Sequence, residues 1–116
     1  MLRFLVVLLA LFISFSNAQY ENDPDVKDVV NDSMRLINKY MEGENLWKLR
    51  SIVRAKVLVV LNTIYDVTLI LTPTTCKKGQ KIKSLSKCPI DKRRNEKKVF
   101  ARISESINGK ITVKMG

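Results

Sequence analysis

Histidine is absent from all 116 residues, and cysteine occurs only twice, at Cys76 and Cys88. Without an imidazole there is no serine–histidine or cysteine–histidine nucleophile and no histidine metal ligand. Two cysteines alone fall short of the four ligands that structural zinc takes. The 11 acidic residues are scattered and suggest no buried pair, which leaves little acid–base machinery. The chain is therefore read as a non-enzyme, with no catalytic residue, metal or cofactor. Proline (three) and glycine (four) are also scarce, and there is no internal repeat or low-complexity linker. After Ala18, no segment holds the roughly 20 uninterrupted apolar residues that a membrane span takes. Val57 to Leu71 comes closest, but Asn62, Thr63, Asp66 and Thr68 interrupt it.

What is present begins with Met1-Leu2-Arg3, the apolar run Phe4 to Phe15, and Ser16-Asn17-Ala18. A charged start, a short hydrophobic stretch and a small-x-Ala site are the marks of a secretory signal peptide. The expected division is a signal over residues 1–18 and one domain over residues 19–116. That is enough chain for a single modest core. In the extracellular, oxidising compartment this implies, Cys76 and Cys88 are expected to pair. Closing so short a loop is worth on the order of 3 kcal/mol.

Charge is lopsided: 21 Lys and Arg against 11 Asp and Glu, a net +10. The excess concentrates in Lys77, Lys78, Lys81, Lys83, Lys87, Lys92, Arg93, Arg94, Lys97 and Lys98. Such a stripe either solubilises a loop or attracts an anionic lipid, a glycan or an acidic partner. It contains no aromatic residue before Phe100, so base stacking is unsupported and no nucleic acid is expected.

Asp23-Pro24 reads as a helix start, an N-cap acceptor followed by proline at the first helical position. Val26, Val29, Val30, Ser33, Leu36, Ile37, Tyr40 and Met41 then recur at helical spacing, and Gly43 is the expected terminator. From Trp47 the period becomes two. Trp47, Leu49, Ser51, Val53, Ala55, Val57 and Val59 share one face, and Lys48, Arg50, Arg54 and Lys56 the other. A strand of some 25 residues is implausible, so a turn is expected between Val57 and Thr63, with Asn62 its best former. Tyr65, Val67, Leu69 and Leu71 carry the next strand, which Thr72-Pro73-Thr74-Thr75 is expected to break. A third strand fits Lys98 to Ile103, and Asn108-Gly109 marks a hairpin into a last strand, Lys110 to Lys114. The fold class is α+β, one N-terminal helix packed on a four-stranded antiparallel sheet.

Asp23-Pro24-Asp25-Val26, Ile52-Val53-Arg54-Ala55-Lys56, Tyr65-Asp66-Val67-Thr68-Leu69 with Thr74-Thr75-Cys76, and Cys88-Pro89 occur in the order and spacing of a secreted cystatin. The mature chain resembles that family throughout. The resemblance implies an inhibitor of papain-like cysteine proteases that wedges into the active-site cleft. Family members use an N-terminal segment around a glycine, a first hairpin Gln-x-Val-x-Gly and a second hairpin with Pro-Trp. The matching first-hairpin residues here are Lys56, Val57, Leu58, Val59 and Val60, so lysine stands for glutamine and valine for the glycine. Glycine takes positive φ freely and a β-branched residue almost never does, so the turn must differ. Near the second hairpin stand Ser106, Ile107 and Asn108 instead of Pro-Trp, and no glycine precedes the helix. These eight residues are the candidate protease contacts. The tip run is either an exposed binding surface or ordinary strand core.

Overall fold

The computed structural model describes residues 20–116, so the expected signal segment lies outside the described residues. Helix α1 spans Pro24–Tyr40. Strands β1 (Asn45–Val59), β2 (Thr63–Lys77), β3 (Lys97–Glu105) and β4 (Ile111–Met115) follow, with a short 3-10 turn at Leu85–Lys87. The strands form one antiparallel sheet in sequence order. One helix on a four-stranded antiparallel sheet is the architecture expected.

Helix α1 starts as its sequence dictates. Asp23 is extended, its carboxylate accepts from the Asp25 N–H at 2.8 Å, and Pro24 occupies the first turn. The buried face is Val26, Val29, Val30, Ser33, Met34, Ile37, Asn38 and Met41. The expected face is thus rotated: Met34 and Asn38 turn inward, while Leu36 is half-buried and Tyr40 exposed. Asn38 explains the rotation. Its side-chain carbonyl accepts from the Trp47 N–H at 2.7 Å, and its amide donates to the Trp47 carbonyl at 2.9 Å and the Met34 carbonyl at 3.1 Å. A polar side chain faces the core because it supplies the partners that the start of β1 requires. The helix ends before Gly43. Met41 caps it in extended conformation, and Gly43, at φ +91°, turns the loop beyond.

The apolar face of β2 is as read: Tyr65, Val67, Leu69 and Leu71 are all buried. They pack with Ile37, Val30, Ala101 and Ile103 beneath α1. Strand β1 departs from simple alternation. Its register against β2 shifts between Leu49 and Ser51 and again between Ile52 and Arg54. Each shift inserts one residue, Arg50 and then Val53, and each reverses the inward side. Ile52 therefore packs on the core while Ser51 and Val53 face solvent, and the second bulge restores Ala55 and Val57 to the inner side.

Thr72 to Thr75 do not break β2, which continues to Lys77. Strand β3 leaves β2 at Leu71, paired with Lys97. Beyond that point the 89–91 segment takes its place: Asp91 N–H donates to the Pro73 carbonyl at 2.9 Å, and Thr75 N–H to the Pro89 carbonyl at 3.0 Å. Residue 73 points its backbone towards that segment, past the end of β3, where no ladder donor is missed by proline. The Cys76–Cys88 disulfide closes this region, and the Lys48 ammonium ties it to β1 through the Ser86 and Cys88 carbonyls at 3.2 and 2.7 Å. On the solvent face Arg102 grips Asp66 with two hydrogen bonds of 2.7 and 3.0 Å.

Replacing Asn38 with Leu keeps the volume but strands the buried Trp47 N–H and C=O, so unfolding free energy should fall by about 2–4 kcal/mol in urea titrations. The Asp66 pair carries a pH signature. The hydrogen bond from Arg102 holds the Asp66 carboxyl below its usual range; burial opposes this, and the charges of Arg102 and Lys56 add to the lowering. A depressed folded-state value means the stabilisation exists above the ordinary carboxylate pKa and is lost as pH falls through the folded value. Asp66→Asn should cost under about 1 kcal/mol at neutral pH, because the pair is exposed. The gap to the native protein should close in acid, as thermal denaturation from pH 7 to 2 would show.

Candidate functional site

Val59 pairs with Thr63, Thr63 with Glu105, and Glu105 with Ile111. These four residues form one row across the sheet, so the β1–β2 and β3–β4 loops leave the same end. With strands some 4.8 Å apart, the two loops stand about 10 Å from one another.

The first loop is Val60-Leu61-Asn62. It closes with the Val60 N–H donating to the Asn62 carbonyl at 3.0 Å. No residue in it has positive φ, so Val60 avoids the backbone that glycine would permit. Leu58, Val59, Val60 and Leu61 are between 58% and 85% exposed. Four consecutive large aliphatic side chains thus stand in solvent, outside the core. Of the five residues assigned to the first hairpin, Val57 packs on the core, and Lys56 is exposed on the stem. Leu61, beyond the assigned residues, is the most exposed of the run. Its signal in the sequence is that it ends the apolar stretch begun at Val57.

The second loop, Ser106 to Lys110, is longer than a two-residue Asn-Gly turn. Gly109 N–H donates to the Ser106 carbonyl at 2.9 Å, which puts Ile107 and Asn108 at the centre of the turn. Gly109 takes φ +81° behind them, and Asn108 keeps negative φ. This is the pattern of a turn followed by a left-handed glycine bulge. The Ser106 hydroxyl accepts from the Lys110 N–H at 3.0 Å and braces the loop. Ile107 is left 86% exposed at its tip. The chain before α1 also reaches towards this end: Tyr20 N–H donates to the Ala55 carbonyl at 3.2 Å, four residues or about 13 Å from Val59.

Some of the basic residues are engaged with neighbours and others are exposed. Lys78 donates to the Met41 carbonyl, Arg93 pairs with Asp91 at 3.2 Å, and Arg94 lies over the Trp47 ring, 5.1 Å from its centroid. The Arg93 backbone and guanidinium hydrogen bonds hold the Asp91 carboxyl below its ordinary range. Lys97 and Lys98 are neighbours on β3 and so face opposite sides of the sheet. Lys77, Lys81, Lys83, Lys87 and Lys92 are exposed around the disulfide loop.

The edge built by the two loops presents Leu58 to Leu61 and Ile107 as exposed apolar side chains on paired stems, beside the polar Asn62, Ser106 and Asn108. Such a surface can fill a groove and exclude water from it. Among the described residues, no helix is long and apolar enough to cross a membrane.

Comparison with known proteins agrees with this arrangement. Residues 14–106 match the model of the cystatin domain. Over 80 residues, 68% of its length, the chain is 35% identical to cystatin cpi-1 of Brugia malayi. The match spans 63% of that relative, so the chain aligns with less than two thirds of it. The crystal structure of Al-CPI superposes with a TM-score of 0.70 at 18% identity, covering 84% of this chain and 92% of that one. Dimeric human cystatin F gives 0.63 at 22% identity, covering 82% and 80%. With the domain match running over most of its length, and the helix-on-sheet fold to go with it, the chain belongs to the cystatin family.

Proposed function

We propose that this protein is a secreted inhibitor of papain-like cysteine proteases that acts by reversible, wedge-like occlusion of the active-site cleft. The observation that carries the reading is the run Leu58 to Leu61, exposed at a hairpin tip level with Ile107. Burying an exposed aliphatic side chain is worth about 1.5–3 kcal/mol. Several inserted together offset a substantial part of the cost of association. The occluding segment is a hairpin with both stems paired, Leu58 to Ile64 and Val59 to Thr63. It offers a cleft its side chains without offering an extended peptide bond.

Family membership supports the target class, and the disulfide fits an extracellular setting. Lys56 and Val60 replace the glutamine and glycine of the family's first hairpin, and Ser106 to Asn108 replace its Pro-Trp. The wedge is accordingly more aliphatic, and its specificity is altered. Leu58 to Leu61 form the main element, Lys56 and Val57 its stem, and Ile107 the second contact. The lysines around the disulfide sit at the other end of β2, 14 residues or roughly 45 Å away. They stand clear of this contact.

Purified protein added at micromolar concentration to papain and to a cathepsin L-like enzyme should suppress activity; no slowing at a tenfold excess over enzyme overturns the proposal. Leu58→Asp should abolish inhibition, since a carboxylate would enter an apolar contact without a partner. The circular dichroism spectrum should stay unchanged, because Leu58 lies outside the core. Ile107→Asp should weaken inhibition less.

A further inference from the structure

Helix α1 covers one face of the sheet; among the described residues no helix lies on the other. The solvent face of an antiparallel sheet is ordinarily polar. Here Phe100, on β3, stands 56% exposed on it. Around Phe100 the face hollows into a groove of about 360 Å³, lined by Arg54, Lys56, Arg102, Lys114 and Met115 together with Phe100 itself. That volume is within the range of small-molecule sites.

The register arranges the lining. Arg54 pairs with Thr68 and Thr68 with Phe100 in one row. Lys56, Asp66, Arg102 and Lys114 make the next. Four cations, Arg54, Lys56, Arg102 and Lys114, thus share the groove with one acidic side chain, Asp66. Asp66 is already held by both hydrogen bonds from Arg102. Arg54, Lys56 and Lys114 make no ion pair among the described residues. Apolar surface is offered by Phe100, and positive charge without an ion-pair partner lies about two strand spacings, or about 10 Å, away at Arg54.

We propose that this groove is a second binding site, for a small amphiphilic organic anion: an aryl or long-chain body against Phe100, and one carboxylate, sulfate or sulfonate head held by Arg54 and Lys56. A ring edge or alkyl chain gains contact with Phe100 by removing it from water. The head gains charge-assisted hydrogen bonds, of which the Arg54 fork can give two. A sulfated polysaccharide would use the same cations but leave Phe100 largely unused. The groove lies on the face of the sheet and not at its end; it shares Lys56 with the hairpin stem, but Phe100 and Arg54, on which its test turns, take no part in the inhibitory contact.

The probe is 1-anilinonaphthalene-8-sulfonate, titrated into the folded protein and followed by fluorescence, with oleate as competitor. Saturable one-to-one binding displaced by oleate is expected. Phe100→Ala and Arg54→Ser should each weaken it about tenfold or more. Leu61→Ser, which alters the other exposed apolar surface, should leave it unchanged. Both groove residues are exposed, so their variants should keep the native circular dichroism spectrum. Absence of saturable binding, loss in Leu61→Ser with retention in Phe100→Ala, or displacement by heparin but not by oleate would each overturn the site. So would a dimer in size-exclusion chromatography that Phe100→Ala converts to monomer, since a second copy would then cover the face.

Discussion

Both hairpin tips of the candidate site rest on the antiparallel register that sets Val59, Thr63, Glu105 and Ile111 side by side. A slip of one residue in any pair would turn a strand over, exposing its core face and moving one tip out of line with the other. The register is held by burial: Tyr65, Val67 and Leu69 on β2 and Ala101 and Ile103 on β3 must all meet α1. Stability and the shape of the working edge therefore have the same origin. The tips themselves are free of that demand, and can carry exposed aliphatic residues because the core does not need them.

Much of this was legible in the chain. The Asp23-Pro24 start, the alternation of β2 and β3 and the turn before Thr63 are all local: each depends on what one residue does to its own backbone or face. Errors arose where a partner decides. Ser51 and Val53 look inward by period, yet the bulges that turn Ile52 in their place exist only in the pairing with β2. Asn38 is not among the residues that helical spacing picks out, and its inward position follows only from Trp47 beside it. Pro73 reads as a breaker unless β3 is known to end at Lys97. Asn108-Gly109 marks the second hairpin correctly but not its geometry, because the left-handed position falls to Gly109 alone.

For the site, the apolar run pointed to the first hairpin, and only the structure separated stem from tip. Val57 belongs to the core and Leu61 to solvent, four positions apart in an unbroken aliphatic stretch. Nothing in the sequence distinguishes them, since both are large and oily; the difference is where the strands stop pairing. Among the basic residues, the sequence does not tell engaged from exposed: Lys78, Arg93 and Arg94 contact a carbonyl, a carboxylate and an indole.

The two bulges in β1 have a consequence for how molecules meet each other. β1 is an outer strand, and an outer strand with a regular row of free N–H and C=O groups invites a neighbour's strand to join it. Interruptions at Arg50 and Val53 spoil that row, and the Tyr20 amide already occupies the Ala55 carbonyl. The opposite border, β4, is only five residues long. A protein that carries an oily prow at one end is thereby kept from stacking flank to flank into fibres.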